Sequence, residues 1–323
     1  MRRHSRPFAV VAIIAALALI MTGCQRGAGG GDDKLTVALI SKGFQHQFWQ
    51  AVKAGAEERA KELGVEMTFD GPASETEVDA QLQMFQTAID RHPDAIGFAA
   101  LDPEACIPQM EAAKTADIPV VEFDAGCDSD IPVNISKTDS KVAGATAAEH
   151  MAKELKGKGE VGIVGHSQVN STGVERRDGF VEKIKSDYPG IKIVDIQYGD
   201  GDHLKSADIA KAMIAGHPQL KGLYGTNEGS AIGIVNAVKE LNLADGKLTV
   251  VGFDSGKAQI DAIKSGAMTG AMTQDPRGIG RSVLESAVKA AKGEQLKKTI
   301  DTGSYWYDKS NIDDPKIKKM LYS

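Results

Sequence analysis

Cysteine is scarce in this chain, with three residues in 323, at positions 24, 106 and 127. None forms a CxxC pair or sits at metal-ligand spacing from a histidine, so a structural zinc site has no support. His46, His166 and His203 are too scattered to suggest another metal site. Tryptophan is rarer still, with two residues, and aromatics make up only 5%. No Gly-x-Gly-x-x-Gly opens a helix after the first strand and no Walker loop appears, which removes nucleotide cradling by glycine amides. No cofactor is indicated. The absence of a short-period repeat excludes a solenoid. Basic residues are in deficit, 38 against 44 acidic ones, so no nucleic-acid partner is expected. The segment Gly165 to Val169, GHSQV, follows a strand as a nucleophile elbow would, but Val169 replaces the second glycine that the sharp turn needs. A serine hydrolase is therefore not supported.

An unusual apolar run opens the chain. Arg2, Arg3 and Arg6 precede Phe8 to Met21, which ends in Thr22-Gly23-Cys24. This is the pattern of an export signal, too short for a good spanning helix. Its end resembles the lipobox of bacterial lipoproteins, in which the cysteine, here Cys24, becomes the lipidated first residue of the mature chain. A plain signal peptide is the alternative. The glycine-rich, acidic stretch Gln25 to Asp33 then reads as a flexible tether. Removing residues 1–23 takes away three arginines and no acid, moving the net charge from -6 to -9. Cys106 and Cys127 would lie outside the reducing cytosol, where a disulfide is permitted. Both follow expected strands at one edge of a sheet, so a bond and two free thiols both remain open.

From Lys34 onward short apolar runs alternate with helical patterns. LTVALI (Leu35 to Ile40) is followed by a helix over about Phe48 to Leu63, then VEMTFD, a helix over Thr76 to Ile89, AIGFAA, a helix over Pro103 to Thr115, and IPVVEFD. The alternation resumes after Pro132 and continues to MTGAMTQ, ending near Gln274. Such a series predicts α/β architecture with parallel sheets covered on both faces. Two sheets are needed, because one open sheet of this many strands would be unusually wide. A further helix over Gly278 to Lys292 and a short strand near Lys298 to Thr302 precede a polar tail. That spare pair suggests repeated crossing between domains, although a simple boundary near residue 136 is the alternative.

Ligands of open α/β sheets bind beyond the carboxyl ends of the strands. That is where the distinctive residues fall. The segment SKGFQHQFWQ, Ser41 to Gln50, follows the first strand; Asp124, Asn227, Asp254 and Gln274 each close a later one; Arg176 lies early in a helix. Singly, each Asp or Asn reads as a helix cap. Together, carboxylates, amides and an arginine beside aromatic faces suit a neutral polyhydroxylated ligand. Each hydroxyl both donates and accepts, and aromatic rings cover the apolar face of a sugar.

These residues resemble the ribose-type sugar-binding proteins of bacterial ABC importers, which share the type 1 periplasmic binding protein fold with lac-repressor-type effector domains. The markers are Phe48-Trp49, Glu62-Leu63-Gly64, IPVVEFD, Thr138-Asp139, Glu175-Arg176-Arg177-Asp178-Gly179-Phe180, Asn227-Glu228 and VVGFD with Asp254. The resemblance covers about Lys34 to Ser323. It implies two doubly wound parallel-sheet lobes joined by three hinge crossovers, one lobe of 34–136 plus 276–302 and the other of 137–275 plus 303–323. It also implies Phe48 and Trp49 stacked on a sugar, with Asp124, Arg176, Asn227, Asp254 and Gln274 binding hydroxyls. His46 stands where ribose binders carry an asparagine. Ala125 replaces a second arginine and Gly201 another aromatic, two changes expected to open space, with Lys42 and His46 as replacement donors. The expected ligand is a pentose, hexose or sugar alcohol. The expected partners are ABC permease subunits, and the membrane through the lipid anchor, for a monomer without enzymatic activity; the alternative is a sensor that reports the ligand to a receptor or kinase.

Overall fold

The computed structural model describes residues 34–244 and 246–322. The expected export signal, Cys24, the tether and Ser323 lie outside them. The first part of the chain runs β1 (Thr36–Ile40), α1 (Gln47–Leu63), β2 (Glu66–Asp70), α2 (Val78–Asp90), β3 (Ala95–Phe98), α3 (Ile107–Thr115), β4 (Val120–Phe123) and β5 (Ile135–Lys137). Then come α4 (Ser140–Glu154), β6 (Gly159–Gly165), α5 (Ser171–Asp187), β7 (Ile191–Tyr198), α6 (His203–Gly216), β8 (Leu220–Gly225), α7 (Glu228–Glu240), β9 (Thr249–Phe253), α8 (Lys257–Ser265) and β10 (Gly270–Gln274). The chain closes with α9 (Pro276–Ala291), β11 (Thr299–Asp301), β12 (Ser304–Asp308) and α10 (Pro315–Lys318).

Two six-stranded sheets result, ordered β11-β5-β4-β3-β1-β2 and β12-β10-β9-β8-β6-β7. All pairings are parallel except β10 with β12. Chain order and sheet membership together require passage between the sheets after β5, after β10 and between β11 and β12. Each sheet is covered on both faces. In β1, Val37 and Leu39 pack with α1 and α9, whereas Ala38 and Ile40 pack with α2 and α3. The period-two alternation of a strand sends neighbouring side chains to opposite faces, so a strand buried on both reads as a continuous apolar run. The second sheet is sandwiched likewise between α4 with α5 and α6 with α7 and α8.

Expected helix ends differ from the observed ones by a few residues. Residues Pro103 to Cys106, expected to be helical, form turns instead, because Asp102 accepts the Glu104 and Ala105 amides and closes a tight loop. The expected polar tail contains a strand. In SYWYD, Tyr307 is buried and its hydroxyl donates to the Asp254 carbonyl oxygen at 2.7 Å, while β12 adds to the edge of β10. One short antiparallel strand carries too little periodic signal to stand out from its polar surroundings.

Glycine sets the position of one site element. A side chain at Gly144 in α4 would collide with the Arg176 backbone of α5, and one at Gly179 in α5 with the Lys141 backbone. The two helices therefore touch backbone to backbone, which carries Arg176 in over the end of the second sheet.

Candidate functional site

Asp124 and Asp254 follow β4 and β9, one at the end of each sheet, and both hold left-handed backbone, with φ of 61° and 77°. That conformation costs a non-glycine residue energy and persists where surrounding structure enforces it, often at ligand clamps. Here β-sheet neighbours do so: the Asp124 amide donates to the Ser136 carbonyl at 2.9 Å and the Asp254 amide to that of Met272 at 2.6 Å. The carboxylates face a cavity between the lobes.

All nine residues singled out from the sequence line this one cavity: Lys42, His46, Phe48, Trp49, Asp124, Arg176, Asn227, Asp254 and Gln274. Glu75 and His166 also line it and were missed. The strand-end rule points to both, since Glu75 lies in the loop after β2 and His166 directly follows β6. The GHSQV segment resembles a nucleophile elbow in sequence; in the structure Ser167 Oγ accepts the Val169 and Asn170 amides.

Most charges here are already committed. Lys42 Nζ lies 2.9 Å from Asp124 Oδ2, donates at 3.3 Å to both Asn170 Oδ1 and Thr172 Oγ1, and sits 5.6 Å from the Trp49 ring centre. It ties the loop after β1 to the start of α5. Arg176 stacks on Phe253 at 3.7 Å, donates to the Thr226 carbonyl at 2.9 Å and lies 4.0 Å from Asp254 Oδ2. Asp254 in turn accepts Gln274 Nε2 at 2.8 Å and the Glu228 amide at 3.0 Å. Phe48 and Trp49 meet edge to face at 4.9 Å, and the Trp49 indole donates to Glu75 at 2.7 Å. Burial pushes the Glu75 carboxyl up, but the Lys42 charge and the indole hydrogen bond outweigh it and hold it below its ordinary value.

The protonation of His46 follows from its neighbours. Gln45 Oε1 accepts the Glu75 amide, which turns Gln45 Nε2 towards His46 Nε2 at 3.1 Å. Asn227 Oδ1 accepts the Ser230 amide, which leaves Asn227 Nδ2 facing the same ring nitrogen at 3.5 Å. With two N–H donors converging on it, Nε2 must accept, so the neutral ring carries its proton on Nδ1. That Nδ1 is buried and has no partner among the described residues. Gly201 does not open space as the sequence suggested. His46 Nε2 and Gln45 Nε2, from the opposite lobe, and Asn227 Nδ2, from its own, lie within 3.5 Å of where its Cβ would be, and together they fill the gap.

His166 is fixed differently. Thr172 gives its proton to Asn170 Oδ1 at 2.7 Å, so it accepts from His166 Nε2 at 3.3 Å, and His166 Nδ1 accepts from Thr226 Oγ1 at 2.8 Å. Burial, then Arg176 and Lys42, holds this imidazole well below its ordinary value. Its folded-state value is depressed, so its contribution to stability is present above about pH 6.5 and is lost as pH falls further. Each pH unit below that point should cost about 1.4 kcal/mol while the ring stays neutral. His166→Asn should therefore show a gap in thermal midpoint from the parent protein that narrows between pH 7 and pH 5. A gap that stays constant across that range would refute this assignment.

The chain matches the family model described as "Periplasmic binding protein domain" over residues 37–295. The chain belongs to the periplasmic binding proteins. The D-allose-binding periplasmic protein of Escherichia coli is 30% identical over 270 residues, covering 80% of this chain and 85% of the relative. A solute-binding protein of Agrobacterium radiobacter, solved with D-arabinose, superposes with a TM-score of 0.86 at 31% identity, over 90% of this binding protein and all of that chain. One from Agrobacterium vitis with bound D-fucose gives 0.85 at 31% identity, covering 89% of this chain and 100% of the other. In this binding protein Cys106 and Cys127 form a disulfide, with Cα atoms 6.0 Å apart. Among the described residues no helix is long and apolar enough to cross a membrane.

Proposed function

We propose that this chain is an extracytoplasmic lipoprotein that captures a neutral monosaccharide or sugar alcohol between its lobes and delivers it, unchanged, to an ABC permease. One observation carries the reading: His46 and Arg176, which each hold a buried nitrogen (Nδ1 and Nε) without a partner among the described residues, line the same cavity as Asp124, Gln274 and an aromatic pair. An unpaired buried donor costs about 1 to 3 kcal/mol, and ligand hydroxyls that accept from both would recover it. The cavity's two cations, Lys42 and Arg176, are offset by Asp124, Asp254 and Glu75, which leaves no surplus positive charge for a phosphate or carboxylate ligand. The solved relatives that carry D-arabinose and D-fucose bear on the ligand class.

In this reading residues 1–23 are the export signal, Cys24 carries the lipid, and Cys24 to Asp33 tether a monomer to the outer face of the cell membrane. The lobes comprise 34–136 plus 276–302 and 137–275 plus 303–323. Contacts from both lobes reach the ligand together only when the cleft shuts, so affinity derives from the closed state. A thermal-shift screen of D-allose, D-ribose, D-arabinose, D-fucose, D-tagatose and xylitol tests the proposal. A sugar at 100 times its dissociation constant should add about 2.7 kcal/mol of stability. No shift with any member of the panel would overturn the ligand class.

A further inference from the structure

We propose that Glu228 is a positioning residue that latches the cleft shut: a carboxylate of the second lobe that caps the first helix of the first lobe while lying outside the ligand cavity. The inference rests on the sugar-capture reading for its purpose and on separate geometry for its mechanism.

Helix α1 begins without a cap of its own. His46 makes no side-chain capping bond, and the first turn contains no acid. The first N–H groups of a helix have no partner within it and need one elsewhere. Here the partner is on the other side of the cleft. Glu228, at the start of α7, accepts the Gln47 amide on Oε1 at 3.0 Å and the Phe48 amide on Oε2 at 3.2 Å. A carboxylate at a helix N-terminus also gains from the helix dipole.

A reciprocal contact lies beside it. Gln47 Oε1 accepts the Lys257 amide at 2.7 Å, so a side chain of α1 caps the first residue of α8. Gly256 makes room for both. A Cβ there would stand 3.0 Å from Gln47 Oε1 and 3.0 Å from Glu228 Oε1.

Neither Glu228 nor Gln47 lines the ligand cavity. Their cross-cleft bonds exist only while α1 is in contact with α7 and α8, and in an opened cleft the same groups return to water. They therefore stabilise the closed state selectively, which is the condition for shifting an equilibrium between two states. Burial and the neighbouring Asp254 charge push the Glu228 carboxyl up to about 7. Near neutrality it is divided between two forms, and either keeps an oxygen that accepts an amide.

The test pairs Glu228→Ala with Gln47→Ala, the latter at an exposed position. Stopped-flow kinetics with D-allose, D-arabinose and D-fucose should show dissociation accelerated about tenfold for Glu228→Ala and less for Gln47→Ala, with association within about twofold of the parent. Small-angle scattering of the ligand-free proteins should show a larger mean radius in both variants, with thermal midpoints little changed. Unaltered dissociation and unaltered scattering would overturn the latch. So would a lowered melting point with unaltered dissociation, the mark of a purely structural residue. If Glu228→Ala fails to fold, Gln47→Ala decides the matter alone. If none of the three sugars binds the parent protein, the sugar reading fails for them, and the scattering comparison still tests the latch.

Discussion

Replacing Asp254 with alanine should reduce sugar affinity by at least about 30-fold, or about 2 kcal/mol, measured by titration calorimetry. This carboxylate holds three groups at once: the Gln274 amide, the Glu228 backbone amide and the field of Arg176. Arg176 is 3% exposed, so its guanidinium would remain in the interior without that countercharge. Removing one member of a buried ion pair typically costs about 3 to 5 kcal/mol, more than the pair itself contributes. Part of that cost should appear in fold stability and part in lost ligand contact. Asp254→Asn keeps an oxygen for Gln274 and should lose less. Titration curves that match the parent for Asp254→Ala would remove the proposed site.

Reducing the Cys106–Cys127 bond, or replacing both cysteines with serine, should lower the unfolding free energy by about 3 kcal/mol, the chain-entropy value for a loop of this length. The sequence separation is 21 residues, and the bridge joins the loop after β3 to the loop after β4. The second loop carries Asp124 in its left-handed conformation, three residues before Cys127. Beside the bridge, the Cys127 amide donates to Glu122 Oε1 at 2.6 Å, a carboxyl that burial pushes up to about 7. Loosening the loop should therefore weaken sugar binding as well as stability. Urea denaturation with and without reductant measures the first effect. Coincident midpoints would show that the bond contributes nothing to the fold.

Much of the site was legible because ligands of parallel sheets gather at the carboxyl ends of strands, a rule that needs only strand positions. Asp124, Asn227, Asp254 and Gln274 follow directly from it. Glu75 and His166 obey the same rule but were passed over, one in a polar loop and the other within a motif read for catalysis. Arg176 and Arg177 are adjacent residues of one type in α5. Only packing separates them: Arg176 is buried over Phe253, whereas Arg177 reaches outward to Asp178 and Tyr198. The β12 strand went unseen because five residues at a sheet edge leave almost no periodic trace.

Local sequence patterns were enough to establish the alternation of strands and helices, the need for two sheets and the residue types at the strand ends. Those are local properties, set by backbone geometry and the period at which apolar side chains recur. Which groups meet depends on how the elements pack together. The tautomer of His46 depends on two amides, one of them 181 residues away; the space at Gly201 is filled by Asn227 together with Gln45 and His46 of the opposite lobe; and the cap of α1 is supplied by Glu228, 181 residues from Gln47. Hydrogen bonds and charge pairs act over a few ångströms whatever the separation along the chain, so partners of this kind become visible only when the lobes are in place.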